Sequence, residues 1–394
     1  MSKHILLGIS GGIAAYKSCE LVRLLKKQGH DVTVVMSRSA AKFISPLTFQ
    51  TLSGNPVLTD THDDESSGNG IAHINLTREA DVFLIAPATA NTLAKITNGV
   101  ADNLLTNLAA ARKCPLAVAP AMNVEMWFNP ANQRNIRQLV SDGIIIFQPN
   151  SGEQACGEIG MGRMPEAVEL ADLLPDIWSA KPLKGRKILL TAGATFEAID
   201  PVRGITNLSS GQMGMALARA CRSSGAEVSL IYGQIQTVIP TGLYSSEQVV
   251  SAEAMYQAVH RQIHQQDAFI SVAAVADYKV KNSSEHKLKK DGSGKTPIIE
   301  LTENPDILTS VAALPNPPFC VGFAAESEKI LEYGRAKRIR KNIPMLVANQ
   351  VSTAIGKPTN QITIIDAEQE TSFPETSKQQ AAEVIVARLA ELLQ

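Results

Sequence analysis

An apolar run from Lys3 to Ser10 leads into a glycine pair, Gly11 and Gly12, and then into an amphipathic stretch from Ile13 to Gln28. Gly29 interrupts the periodicity, and a second apolar run follows from Asp31 to Ser37. The pattern predicts strand, tight turn, helix and strand, a βαβ opening. Further short apolar runs at Val82 to Ala86, Leu116 to Ala119 and Ile144 to Phe147 alternate with helical stretches. Strands that are apolar along their length and separated by helices predict a parallel sheet covered on both faces.

Between Trp178 and Gly185 the pattern breaks, and the opening then recurs. A strand from Arg186 to Leu190, a turn at Thr191, Ala192 and Gly193, a helix from Gly214 to Ser223, Gly225, and a strand from Glu227 to Tyr232 follow in order. We expect a second α/β domain, with boundaries at 1–180 and 186–394. The length agrees, because 394 residues exceed what one hydrophobic core usually serves. The connection from Ala194 to Ser210 is far longer than the ~2 to 6 residues usual between strand and helix, and such loops usually hold ligands. Thr61 to Gly70 reads as a mobile surface loop. The basic, glycine-containing stretch Lys281 to Lys295 reads as a flexible lid or as an ordinary solvated loop.

Charge narrows the partners. A formal net charge of -1 with 19% charged residues carries no global bias, so nucleic acid is a poor partner. The first apolar stretch is too short for a signal segment, and no later run approaches the roughly 20 apolar residues of a membrane span. A cytoplasmic protein with no membrane partner is expected. The five cysteines, Cys19, Cys114, Cys156, Cys221 and Cys320, are odd in number, far apart and without a CxxC pair. That suits a reducing compartment and argues against a disulfide framework or a zinc site.

Candidate chemistry gathers at the ends of the predicted strands. Ser10, Gly11 and Gly12 lie between strand and helix, where small residues let N–H groups approach a phosphate, although a tight turn without a ligand looks the same. The second strand ends at Met36 and Ser37 without the acidic residue a dinucleotide ribose would need, which favours a mononucleotide such as FMN. Ala86-Pro87-Ala88-Thr89-Ala90-Asn91-Thr92 and Pro120-Ala121-Met122-Asn123 end two further strands, so one crevice is expected to be built from three loops. His73 alone is more often a packed or capping residue than a catalyst. The segment Ser151 to Met164 holds four glycines around Cys156 and Arg163, which excludes a helix or a core strand and reads as a flap.

Taken together, Gly8-Ile-Ser-Gly-Gly-Ile-Ala-Ala-Tyr-Lys, His73, Ala86-Pro-Ala-Thr-Ala-Asn-Thr, Pro120-Ala-Met-Asn with Met126-Trp127, and Ala155-Cys-Gly-Glu-Ile-Gly-Met-Gly-Arg-Met resemble the homo-oligomeric flavin-containing cysteine decarboxylases. The resemblance implies a flavodoxin-like (Rossmann-like) α/β fold, a trimer-based assembly, and FMN held by Ser10, Gly11, Gly12, Ile13, Ser37, Ala86, Pro87, Ala88, Thr89 and Met126. It also implies roles: His73 assists thiol oxidation and decarboxylation, Asn123 holds the substrate carboxylate, and Cys156 donates the final proton. A thiol suits that last task because its pKa lies near working pH.

The second half carries Thr191-Ala-Gly-Ala-Thr-Phe-Glu-Ala-Ile-Asp-Pro-Val-Arg-Gly-Ile-Thr-Asn-Leu-Ser-Ser-Gly-Gln-Met-Gly214, Ala273-Ala-Val-Ala-Asp-Tyr, Lys287-Leu-Lys-Lys, Asn304-Pro-Asp-Ile-Leu, Val321-Gly-Phe-Ala-Ala-Glu and Ala336-Lys-Arg-Ile-Arg-Lys-Asn. Activating a carboxylate with a nucleotide triphosphate gathers several anions, which need lysine or arginine, Mg2+ and amide donors. The set resembles phosphopantothenate–cysteine ligases. The resemblance places the acyl-cytidylate at Asn207 and CTP at Gly193, Ser209, Ser210, Gly211, Gly214, Ala273, Asp277, Lys287, Pro305, Asp306, Ile307, Leu308, Phe323, Lys337 and Lys341, with Mg2+ at Asp277. By spacing alone, Lys337 and Lys341 read as a solvated helix face. Ala194, Phe196 and Ala198 depart from the ligase signature, which has proline, arginine and proline there.

Both signatures on one chain, in this order, resemble the bifunctional family that makes 4'-phosphopantetheine for coenzyme A from 4'-phosphopantothenate, cysteine and CTP. A homo-oligomer is then implied, a dodecamer of trimers with paired ligase domains. Two other classes compete, an FMN-binding regulatory flavoprotein and a nicotinamide-dependent oxidoreductase. Intact His73, Asn123 and Cys156 argue against the first.

Overall fold

A computed structural model describes residues 2–59, 72–289, 298–326, 328–350, 357 and 359–394, without the side chains of residues 72–74, 326 and 350. The loop expected at Thr61 to Gly70 and the end of the expected lid, from Lys290 on, lie outside the described residues. The chain forms two compact units, Met1–Trp178 and Ser179–Gln394.

In the first unit six strands, β1 (His4–Ile9), β2 (Asp31–Met36), β3 (Val57–Thr59), β4 (Val82–Ala88), β5 (Leu116–Pro120) and β6 (Ile145–Ile146), form one sheet in the order β3-β2-β1-β4-β5-β6. All five pairings are parallel. Alternate side chains serve opposite faces: Ile5, Leu7 and Ile9 join one core, and Leu6 joins the other. This is the doubly wound α/β fold, with its switch point between β1 and β4.

The first helix runs over Ala15–Lys27 and turns Ala15, Ser18, Leu21, Val22 and Leu25 inward, a helical stripe. It starts after the expected Ile13 because the Ala15 N–H donates to the Gly12 carbonyl at 3.0 Å, leaving residues 12–14 as a turn. The glycine-rich flap is an antiparallel hairpin, β7 (Asn150–Glu153) and β8 (Ile159–Arg163), separate from the six-stranded sheet.

The second unit repeats the winding. Its strands are β9 (Lys187–Ala192), β10 (Phe196–Ala198), β11 (Gly204–Thr206), β12 (Glu227–Tyr232), β13 (Ser245–Gln248), β14 (Ala268–Ser271), β15 (Tyr278–Val280), β16 (Leu301–Glu303), β17 (Phe319–Glu326) and β18 (Met345–Gln350). The main sheet is ordered β13-β12-β9-β14-β17-β18, all parallel. Two antiparallel strands, Ile362–Ile365 and Glu370–Ser372, complete its far edge. Ile188, Leu190 and Ala192 face one core and Leu189 the other.

The helix expected from Gly214 begins at Gln212, because Gly211 at φ +75° turns the chain into it. Gly214 lies on the strand end itself: an added Cβ would stand 2.4 Å from the Ala192 Cβ. The Ala192 Cβ is fixed to its backbone and has no rotamer to turn aside, so Gly214→Ala should cost about 1–3 kcal/mol as an overpacked contact. Denaturant unfolding followed in the second unit checks this.

Candidate active sites

In the first unit the site begins at Ser10, where β1 ends. Its Oγ donates to the Pro87 carbonyl at 2.7 Å and accepts from the Thr89 N–H at 2.9 Å. One buried hydroxyl therefore bridges the ends of β1 and β4 across the switch point. Gly11 packs against the neighbouring turn so closely that an added Cβ would lie 2.4 Å from the Ser39 Cβ. In that turn the Ser37 Oγ accepts from the Ala40 N–H at 3.2 Å. An added Cβ at Gly12 would be 3.7 Å from the Thr89 methyl, so the two loops meet there.

The helices Ala15–Lys27 and Ala90–Thr97 both start at this cradle, and neither has an acidic residue in its first turn. Their amino-terminal positive ends are uncompensated, the arrangement that suits a phosphate monoester such as that of FMN. Ile13, 61% exposed, stands at its rim, whereas Ala86 and Ala88 turn their side chains into the cores and offer only backbone.

From the cradle a series of hydrogen bonds runs to the hairpin. The Ala121 N–H donates to the Ala88 carbonyl at 3.0 Å, and the Met122 N–H to the Gly162 carbonyl at 2.9 Å. Asn123 caps the short helix Val124–Phe128, its Oδ1 accepting from the Glu125 N–H at 2.8 Å. Its Nδ2 lies 3.4 Å from the Cys156 Sγ and donates to the Glu158 carboxylate. Gln154 stitches the hairpin down, accepting from the Val124 N–H and donating to the Met161 carbonyl, each at 3.1 Å. Met126, on the same short helix, is 46% exposed. His73 falls in the helix Ala72–Glu79, and its side chain lies outside those described.

Two contributions escape a reading of the sequence. Glu158 sits beside Cys156 and holds the Asn123 amide. Lys17 is 7% exposed and donates to the Met164 carbonyl at 2.8 Å and to Glu166 at 2.6 Å, tying the base of the hairpin to the helix that starts at the cradle. Its place four residues before the buried Leu21 is the available signal.

The second unit gathers its loops in the same way. The Ala274 N–H donates to the Gly193 carbonyl at 2.8 Å, joining the ends of β9 and β14. Asn207 Nδ2 donates to the Ala274 carbonyl at 3.0 Å, which brings the end of the long loop to that junction. Gly193 and Gly211, at φ +77° and +75°, both face Ile235 at distances that exclude a side chain. The Ser209 Oγ accepts from the Gly211 N–H at 3.3 Å, and the Ser210 carbonyl from the Gln236 N–H at 3.0 Å.

The long loop is itself structured, as the hairpin β10–β11. Ala194, 1% exposed, bridges to Gln234 and Ala274, and Phe196 lays its ring over Gly204. These departures from the ligase signature therefore serve packing.

Lys337 and Lys341 are not a solvated face. Lys337 Nζ donates to the Phe323 carbonyl at 2.8 Å, and Lys341, 14% exposed, pairs with Asp306. Because Asp306 caps the helix Ile307–Ala312, accepting from the Thr309 N–H at 3.0 Å, Lys341 reaches the loop after β16, while Lys337 reaches strand β17 at Phe323. Burial opposes ionisation of Asp306, but the Lys341 ammonium and the Thr309 N–H hold its carboxyl below the ordinary value. Ile307 and Leu308 are core residues, so only their backbone can face a ligand, and Gly214 acts by its fit against Ala192.

Asp277 is exposed, at the end of the strand junction, and its carbonyl accepts from the Asn304 N–H at 2.9 Å. Pro305 follows Asn304 in this turn. Among the described residues no three acidic, histidine or cysteine side chains gather as a metal cage. A lone exposed carboxylate fits Mg2+ that takes its other ligands from phosphate and water. Ala273 borders the same junction, its N–H 3.5 Å from the Thr191 Oγ1, and Lys287 is exposed.

Comparison with known proteins agrees with this layout. The flavoprotein family model matches residues 1–177, and the model for the DNA/pantothenate metabolism flavoprotein C-terminal domain matches residues 183–393, which makes the class a two-domain flavoprotein. The coenzyme A biosynthesis bifunctional protein CoaBC of Vibrio cholerae is 45% identical over 388 residues, 98% of this chain and 97% of that protein. Its namesake in Escherichia coli is 44% identical over 353 residues, 89% and 86% of the two chains. The chain belongs to the family of coenzyme A biosynthesis bifunctional proteins.

Solved structures similar to single units include a CoaBC carboxy-terminal domain, 34% identical, covering 54% of this chain and 98% of its own at a TM-score of 0.47. A PPC decarboxylase variant complexed with pantothenoylaminoethenethiol is 36% identical, covering 45% and 99% at a TM-score of 0.41. Among the described residues no helix is long and apolar enough to cross a membrane.

Gly162 tests how the hairpin is seated. It adopts φ +132°, and an added Cβ would stand 2.3 Å from the Met122 carbonyl oxygen. Gly162→Ala should lift the hairpin, raising amide exchange across residues 150–163 while that of β1 and β4 stays unchanged.

Proposed function

We propose that residues 1–180 form an FMN-dependent decarboxylase of phosphopantothenoylcysteine and that residues 186–394 form the ligase that makes this compound from 4'-phosphopantothenate, cysteine and CTP. The observation that carries the first assignment is the convergence of Asn123 and Cys156 on one hairpin turn, joined by hydrogen bonds to the cradle at Ser10. Full-length relatives that share the bifunctional name support the pairing of activities.

A cysteine carboxylate attached through an amide has no electron sink for departing CO2; FMN, when bound, would take two electrons from the thiol-bearing carbon and return them once CO2 has left, so that the net reaction is redox-neutral. Gly11, Gly12, Ser37 and the Thr89 hydroxyl would hold its phosphate, Ser10 would close the cradle beneath it by joining the two loops, and Ile13, Ala86, Pro87, Ala88 and Met126 would line the site. Asn123 Nδ2 takes the substrate carboxylate in place of Glu158, and His73 assists removal of the thiol proton. Cys156 delivers a proton to carbon after CO2 has left, and that proton is replaced from solvent.

In the ligase, the phosphopantothenate carboxylate attacks the α-phosphorus of CTP and pyrophosphate leaves. The cysteine amine then attacks the acyl-cytidylate at Asn207 and CMP departs. Lys287, Lys337 and Lys341 balance the triphosphate charge, and Asp277 shares Mg2+ with it. The reading includes a cytoplasmic homo-oligomer, built from trimers of the first unit and pairs of the second.

Purified protein should be yellow and release FMN on heating; a colourless preparation would refute the decarboxylase. Given phosphopantothenate, cysteine and Mg2+, CTP should yield pyrophosphate and CO2, and equal turnover with ATP would overturn the choice of base. Cys156→Ser should still release CO2 but accumulate the oxidised aminoenethiol, visible by mass spectrometry, and normal phosphopantetheine formation would remove Cys156 from its donor role.

A further inference from the structure

Lys287 and Lys289 lie on a polar segment, residues 281–289, that belongs to no strand or helix. Two exposed cations on such a segment would sample many positions unless something held the backbone. The holding group is a buried carboxylate in the turn between β10 and β11. The Asp200 side chain is 0% exposed. It accepts from the Val202 N–H at 2.8 Å, the Arg203 N–H at 2.9 Å and the Arg203 Nε at 3.0 Å. It also accepts from the Leu288 N–H at 3.1 Å.

Arg203 completes the grip, its Nη2 donating to the Leu288 carbonyl at 2.8 Å while it also bonds Asp200. Leu288 is thus held at both its N–H and its carbonyl, between the two lysines. A further bond, from the Ser284 N–H to the Ile199 carbonyl at 3.0 Å, fastens the same segment to the same turn.

Charge separates holding from direct contact. Arg203 spends its guanidinium on a fully buried partner, so Asp200 and Arg203 together add no net charge to the site. The Arg203 guanidinium and the backbone N–H groups hold the Asp200 carboxyl well below the usual carboxylate range, so the grip stays ionised at any working pH.

We propose that Asp200 and Arg203 are a positioning pair whose bonds to both backbone groups of Leu288 fix Lys287 and Lys289 for the anionic nucleotide. This rests on the ligase reading above, in which Lys287 meets CTP. The pair acts on the ligase step alone, through the lysines, and touches neither nucleotide nor substrate.

The test uses the full-length protein with its FMN. Pyrophosphate release is measured against CTP concentration, and decarboxylation of supplied phosphopantothenoylcysteine is the internal control. Asp200→Asn should raise KM for CTP by about tenfold, as expected when a charge-assisted hydrogen bond is weakened, and leave decarboxylation unchanged. Amide exchange at Leu288 should quicken in the same variant.

Lys287→Ala separates the two ideas. An unchanged KM for CTP in Lys287→Ala would sink the ligase assignment of that lysine. A raised KM there with a wild-type KM in Asp200→Asn would sink the positioning pair alone. In a background lacking both lysines, Lys287→Ala with Lys289→Ala, Asp200→Asn should add less than about twofold, because coupled residues are not additive. Full additivity would mean that Asp200 acts elsewhere and would overturn the proposal. Should Asp200→Asn fail to fold, Arg203→Lys at its 48%-exposed position carries the same test, since lysine keeps the charge but cannot grip Asp200 and Leu288 together.

Discussion

In a doubly wound sheet the chain leaves neighbouring central strands toward opposite faces, so two adjacent loops separate and their backbone groups lack a sheet partner. Both units meet this constraint. In the first, the helix after β1 packs Leu21 and Leu25 into one core, and the helix after β4 packs Leu93 into the other. The gap between them is closed by the Ser10 hydroxyl, bonded at once to Pro87 and Thr89. In the second, the Ala274 N–H on the Gly193 carbonyl performs the same closure. The loops that carry Thr89 and Asn207 are fastened at these two junctions, so the residues at the switch point limit what those loops can reach.

The parts of the fold set by period are legible in the sequence. Runs such as Ile5 to Ile9 and Ile188 to Leu190 are apolar on both faces, which only a covered parallel strand accommodates. Glycines mark the turns, but their reasons differ and the sequence does not separate them. Gly211 is needed for a positive φ as well as space, whereas Gly214 is needed only for contact with Ala192. The hairpin at Ser151 to Met164 reads from sequence only as irregular, because its register depends on Gly162 meeting the Met122 carbonyl, a contact between distant residues.

Side-chain partners are the least legible. Lys337 and Lys341 have the spacing of a solvated helix face, and their engagement follows from Phe323 and Asp306 lying within reach of the helix Ile330–Arg340 and its cap. Asp200 and Arg203 are visible as members of a signature, yet nothing in their spacing points to Leu288. The helical period marks Lys17 as an inward position, but its partner Glu166, 149 residues away, leaves no periodic trace.

The two sites differ in how they treat negative charge, and the difference follows from how long each ligand stays. FMN remains through the decarboxylase cycle, so a cradle of hydroxyls, glycines and helix ends can be fixed by the sheet, with little reorganisation to bind a phosphate. In the proposed ligase reaction the nucleotide enters and pyrophosphate leaves at every turnover, which favours cations on side chains that can exchange partners. These groups have partners within the protein: Lys341 with Asp306, Lys337 with the Phe323 carbonyl, and in the other unit Asn123 with Glu158. Such placeholders avoid the penalty of a desolvated, unpaired polar group, and a ligand must displace them to bind. Net affinity is therefore the difference between two sets of contacts, which lets a product leave.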